Sequence, residues 1–304
     1  MKFLCCLLAM VLGAATLRAE ERLDPEKVMK VEPVPEEVRT QFKLAAFYQK
    51  YVDAGGVPIV ASEKVQDAAL LEARYLILEM IGHRPDLLAA IAKNHVRVAI
   101  LGTQQFTTDI PEHSDLRPRT YWDKRARGLG ATAQRPAISG GEENLLCAPG
   151  DPYAAENIFI HEFGHVVHER GINTVDSTFD RRLRVAYEEA LKDGLWKRTY
   201  AATNRMEYWA EATQSWFDTN ARNDRQHNDV ATRAKLKQYD PRVAALCAEV
   251  YGEGEWRYTR IEKRNPPSAH LAGYDASKAV RFSWKLLDEQ QKAGLRSEDA
   301  GKGK

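Results

Sequence analysis

The sequence predicts an α+β fold, mainly helical, with a small sheet beside one central helix. Three observations carry this reading. Apolar residues recur at helical spacing in segments bounded by capping residues, as from Val65 to Ile77 and from Leu183 to Leu191. The β-branched run Val96-Arg97-Val98-Ala99-Ile100-Leu101, closed by Gly102, reads as a strand. Between them in character lies His161-Glu162-Phe163-Gly164-His165, the pattern H-E-x-x-H, in a segment with helical periodicity.

The chain opens with Lys2, an apolar run from Phe3 to Leu12, and small residues at Gly13-Ala14-Ala15 and Leu17-Arg18-Ala19. This is the layout of a secretory signal peptide over residues 1–19, too short and wrongly flanked to be a lasting membrane span. The expected location is secreted or periplasmic. No later run reaches the apolar length of a transmembrane helix. Removing residues 1–19 takes away Lys2 and Arg18, so Lys+Arg falls from 44 to 42 against 43 acids. That balance offers no basic excess to hold nucleic acid or an anionic membrane. Cys5 and Cys6 leave with the signal, and Cys147 and Cys247 remain as a candidate disulfide in an oxidising compartment, or else as two buried thiols.

Residues 20–40, acidic and interrupted by Pro25, Pro33 and Pro35, read as a linker or an N-terminal arm laid over the domain. Residues 41–293 are the expected domain. Ser62 is a candidate cap for a helix that ends at Gly82, and Arg84-Pro85-Asp86 opens a shorter one. Residues 103–150 are mostly loop and short strand. Within them Gln134 to Ser139 suits a short edge strand beside the site, since proline is tolerated at an edge. Glu142 and Glu143 then fit a solvated turn or a helix cap better than a substrate contact. Asp151 and Pro152 suit the start of the H-E-x-x-H helix, and Gly171 its end. A helix is expected from Thr178 to Lys192, with Glu188 and Glu189 on its solvated face. Others are expected over 204–217, from Asp240-Pro241 to Gly252, and over 277–290, with a disordered charged tail at 294–304.

Residues four apart share one helix face, about 6 Å along the axis. His161 and His165 can therefore place two imidazoles on one metal ion, and Glu162 can reach a water on that ion from the side as general base. A catalytic zinc takes three protein ligands and keeps a position open. His168 is a poor third ligand, because seven residues of helix separate it from His161 by roughly 10 Å. It is expected to be partly exposed. Glu207 and Glu211, four apart on a later helix, suggest one carboxylate on the metal and one on the outer nitrogen of a ligand histidine. The alternative is that Glu207, three residues after Asn204, belongs to a capping box. His227 stands alone in a polar loop as a surface candidate.

The set His161-Glu162-Phe163-Gly164-His165 with Glu207-Tyr208-Trp209-Ala210-Glu211-Ala212, and Tyr200 seven residues before Glu207, resembles the gluzincin metallopeptidases. Within them it is most similar to the catalytic domain of anthrax lethal factor, over roughly residues 151–217. The resemblance implies a zincin-like metallopeptidase domain over 41–293, with His161, His165 and Glu207 on zinc, Glu162 as base, Tyr200 as electrophilic helper and Glu211 behind a ligand histidine. It also implies a peptide or protein substrate, and an endopeptidase rather than an exopeptidase. The chain has no room for the toxin's receptor-binding and substrate-recruiting domains, so toxin action is not implied. It also departs from the thermolysin-like pattern, with Met206 before Glu207 and Glu211 in place of an aspartate. Two rival readings stand beside this one: a secreted binding protein that keeps the fold without catalysis, and a structural helical protein with a chance motif.

Overall fold

The computed structural model describes residues 23–296, so the signal segment and all but the first residues of the tail lie outside the described residues. In chain order the elements are β1 (Glu32–Pro33), α1 (Glu36–Phe42), β2 (Lys50–Ala54), β3 (Val57–Ala61), α2 (Asp67–Ile81), α3 (Pro85–Lys93), β4 (Arg97–Leu101), α4 (Arg119–Arg125), β5 (Ala137–Gly141) and α5 (Glu142–Leu145). Then come α6 (Ile158–Val166), α7 (Asn173–Val175), α8 (Phe179–Lys192), α9 (Arg205–Trp216), α10 (Arg233–Tyr239), α11 (Pro241–Tyr251) and α12 (Trp284–Lys292). The fold is α+β, with helices outnumbering the strands of one small mixed sheet.

The sheet order is β1-β2-β3-β4-β5. The first three strands run antiparallel, and β3, β4 and β5 run parallel. Parallel neighbours need a crossover, and α2 with α3 supplies it between β3 and β4. Alternate residues of the strands serve two apolar layers. Ile59, Val98, Ile100 and Ile138 enter the main core with α2, α6 and α9, while Val60, Ala99 and Leu101 join Phe42, Leu44 and Tyr48 on the other face. The hairpin β2–β3 is absent from the expected elements. Its turn is an Asp-Ala-Gly-Gly sequence in which the Asp53 carboxylate accepts from the amides of Gly55 and Gly56, both at 2.9 Å.

Several expected boundaries move. The cap of α2 is at Gln66, not Ser62, whose hydroxyl bonds Gln105 instead. Helix α6 begins at Ile158 under Asn157, six residues after the expected start, because Asp151 is used in a turn with Tyr153 and by Asn144. Nor does α6 end at Gly171: a π-helical turn over Val167–Ile172 carries it into α7. Glu142 and Glu143 are buried rather than solvated. Glu142 accepts from the backbone amides of Gln66 and Thr103, and Glu143 pairs with the buried Arg127. The last helix is shorter than expected, since Phe282 lies in the extended stretch before α12.

The N-terminal arm lies on α2, where the Arg74 guanidinium donates to the carbonyls of Asp24, Pro25 and Lys27. The chain after α11 is strapped back in the same way. The Tyr258 amide donates to the Phe217 carbonyl at 2.9 Å, and the Phe282 amide to the Pro149 carbonyl at 3.0 Å. Arg264 and His270 close on Glu72, and Arg296 on Asp123. Cys147 and Cys247 are both free thiols, so no disulfide joins them. Cys147 faces the Tyr258 hydroxyl at 3.5 Å, whereas Cys247 is buried in the apolar face of α11. Among the described residues no helix is long and apolar enough to cross a membrane.

Candidate metal centre

Helices α6 and α9 build the site. Asn157 caps α6 through its side-chain oxygen, which accepts from the Ile160 amide at 3.0 Å, and Asn144 accepts from the Ile158 amide at 2.9 Å. Phe159, Phe163, Val166 and Val167 turn their side of this helix into the core. His161 and His165 stay on the side that faces a cleft. Asn204 caps α9, accepting from Met206 and Glu207 at 2.9 and 3.0 Å. The capping-box alternative for Glu207 is thereby half met: Asn204 does cap, but the Glu207 carboxylate points to the histidines.

Glu207 Oε2 lies 3.1 Å from His161 Nε2 and 3.3 Å from His165 Nε2. All three ligand atoms fall within 4.8 Å of one another, and among the described residues this is the one such His/Cys/Asp/Glu group. Bonds of about 2.0–2.1 Å in a tetrahedral shell separate donor atoms by about 3.3 Å. The two nitrogen-to-carboxylate distances match that spacing, so the donor set fits a metal ion of this size. Without a metal the carboxylate and imidazoles satisfy each other. Burial opposes a charge on His161, but Glu207, Glu162 and Glu211 outweigh it and raise the ring to about 10. Burial likewise opposes the Glu207 carboxylate, and the two imidazoles outweigh it, holding the acid well below its usual range.

Glu162 sits one residue past His161, on the cleft wall. Burial pushes its carboxyl up, while His161 and His165 pull it down by less. The segment Gly128–Gly130 runs against it. A Cβ on Gly128 would meet Glu162 Cγ at 3.0 Å, and one on Gly130 would meet His165 Cβ at 3.2 Å. A side chain at either position would press Glu162 or His165 back by a few tenths of an ångström. The Ser139 amide donates to the Leu129 carbonyl at 2.9 Å, so the wall is tied antiparallel to the edge of β5.

Tyr200 also lines the cleft, its ring centroid 6.1 Å from that of His161. Burial, with Glu207 nearby, raises its hydroxyl to about 12 against the pull of Arg125. The hydroxyl is therefore protonated at neutral pH and able to donate. The cleft encloses about 360 Å³. A larger cavity of about 540 Å³ lies between the N-terminal arm and Trp256 and holds none of these residues.

His168 does not join the group. It is buried, 1 % exposed, not partly exposed as expected, and its Nε2 meets Asp180 at 3.1 Å. Glu211 is less direct than expected. Its Oε1 lies 3.5 Å from His161 Nδ1, whereas Gln214 Oε1 lies 2.9 Å away and makes the hydrogen bond. Among the residues that escaped the sequence reading as site residues are Arg125, Glu156 and His227, which line the cleft, and Gln214, which is buried against His161. Arg125 and Glu156 come from segments with no motif. His227 is brought in from its loop, 3.5 Å from Glu211 Oε2. Gln214 carried a usable signal, standing seven residues and two helical turns after Glu207. No family model matches the chain, and no curated protein shares significant sequence similarity with it.

Proposed function

We propose that this chain is a secreted or periplasmic zinc metallopeptidase of the gluzincin type, resembling the catalytic domain of the lethal-factor family. The observation that supports it best is one carboxylate oxygen of Glu207 within 3.1 and 3.3 Å of two ring nitrogens spaced four residues apart, with Glu162 beside them. Two imidazoles and a carboxylate from a second helix are a donor set suited to zinc with one position left open.

A zinc ion so held supplies Lewis acidity, which polarises a peptide carbonyl and lowers the pKa of water to about 7. The chain's own groups do the rest. His161, His165 and Glu207 hold the ion. Glu162 takes the proton of the attacking water and returns it to the leaving amine. Tyr200, protonated at neutral pH, donates to the oxyanion that develops on the carbonyl, an effect of roughly 2.7–4 kcal/mol at comparable sites. The Gly128–Gly130 wall keeps Glu162 against the reacting centre.

The test is metal analysis of the purified mature chain, followed by digestion of a peptide library with and without a chelator, and again after zinc is restored. Chelator-sensitive cleavage that returns with zinc is the expected result. A chain that binds zinc and cleaves nothing would be a binding protein on a metallopeptidase scaffold. A chain that neither retains zinc nor takes it up would reduce the motif to chance.

A further inference from the structure

We propose that Gln214 is the residue that fixes the ring tautomer of His161, and that Glu156 on the cleft wall fixes Gln214. This rests on the reading of His161 as a metal ligand. It assigns Gln214 the role expected of Glu211.

The argument is a count of donors and acceptors. Gln214 is fully buried. Its Nε2 donates to Glu156 Oε2 at 2.8 Å and to the Asn157 carbonyl at 3.3 Å. A carbonyl cannot donate, so the amide NH2 must lie on that side. The amide oxygen then faces His161 Nδ1 at 2.9 Å, and an oxygen with no hydrogen can only accept. His161 must therefore carry a proton on Nδ1, so that the nitrogen left to give up its proton and offer a lone pair to a cation is Nε2. A metal-bound imidazole needs that tautomer, and its outer partner commonly sets it.

Glu211 is badly placed for the task. Its Oε1, at 3.5 Å from Nδ1, is beyond a good hydrogen bond. Its Oε2 already accepts from Asn220 Nδ2 at 3.0 Å and faces His227 Nε2 at 3.5 Å. Gln214 also ties α9 to the residue that caps α6, because Asn157 supplies both the carbonyl it bonds and the α6 cap. The orientation of the ring and the start of its helix are thus held by one amide. Both Gln214 and Glu156 are positioning residues.

The test reads the bond and the metal separately, on the full mature chain. In 15N-labelled protein the His161 Nδ1 proton should give a protected resonance, present with and without zinc. Gln214→Leu should abolish it and weaken zinc binding, measured by chelator competition, by about 10–100-fold. Glu211→Gln should keep the resonance and change affinity by less than about tenfold, the lower edge of that range. Exchanging the pair, Gln214→Glu together with Glu156→Gln, restores an acceptor toward His161 and a donor between the two side chains. The exchange should recover the resonance and most of the affinity, and it decides the matter if Gln214→Leu fails to fold. Loss of the resonance in Glu211→Gln, its survival in Gln214→Leu, or no recovery in the exchange would overturn the assignment. A wild type that binds no zinc would sink the metallopeptidase reading, while the resonance in the metal-free chain would still decide the Gln214 bond.

Discussion

The indole Nε1 of Trp209 donates to the backbone carbonyl of Gly164 at 3.0 Å. This bond crosses from α9 to α6 one residue before His165, at a point where a Cβ on Gly164 would meet Thr213 at 3.3 Å. It therefore sets the register that brings Glu207 over the two histidines. Trp209→Phe removes the donor while the carbonyl keeps its bond from the Val167 amide, so the loss is that of one hydrogen bond, about 0.5–1.5 kcal/mol. Urea unfolding should show that loss, and zinc affinity should fall with it. Unchanged affinity in the destabilised variant would mean that the register is held elsewhere.

Glu207 should decide metal retention. Zinc at a thousandfold excess over its Kd should stabilise the wild type by about 4.1 kcal/mol. Glu207→Ala leaves two imidazoles and should lose nearly all of that gain, a larger loss than any outer partner would cause. Thermal unfolding with and without zinc measures both. Equal stabilisation of the two proteins would remove Glu207 from the ligand set.

Chemistry and binding should separate at Glu162. Glu162→Gln keeps the shape and loses the proton acceptor, so peptide hydrolysis should fall by about 10²–10⁴-fold with zinc content unchanged. Tyr200→Phe should act more mildly, lowering kcat more than it raises KM, because its bond forms mainly in the transition state. Hydrolysis undiminished in Glu162→Gln would show that another group is the base.

Acid should loosen the C-terminal strap. Glu72 is fully buried and accepts from Arg264 at 2.5 and 2.9 Å and from His270 at 2.8 Å. Burial raises its carboxyl, but the bonds from His270 and Arg264 outweigh burial and hold it below the ordinary value. A carboxyl depressed in the folded state stabilises above its unfolded pKa, about 4.3, and loses that contribution as pH falls through the folded value. Glu72→Gln strands the buried Arg264 charge and should cost about 3–5 kcal/mol at neutral pH. Urea titrations should show the gap from wild type narrowing below about pH 4. A gap independent of pH would mean that the variant fails through packing alone.

What the sequence determined by itself is local. Helical spacing put His161 and His165 on one face, an asparagine cap and a carboxylate pair marked α9, and the run at 96–101 read as a strand because β-branched Val96, Val98 and Ile100 alternate through it. Those signals lie within single elements, where the backbone period acts directly on neighbouring residues. What only the tertiary structure decided depends on residues far apart in the chain. Asp151 could have capped α6, but Asn144 and Tyr153 claim its carboxylate, so the helix starts under Asn157. Glu143 looked like a solvated acid until Arg127, sixteen residues away, was buried against it. The acceptor behind His161 was expected to be Glu211. The fold sets Gln214 at 2.9 Å and Glu211 at 3.5 Å from the ring, so the bond falls to Gln214: both share the helix face, and only the packing of α9 on α6 decides which side chain comes within about 2.7–3.2 Å.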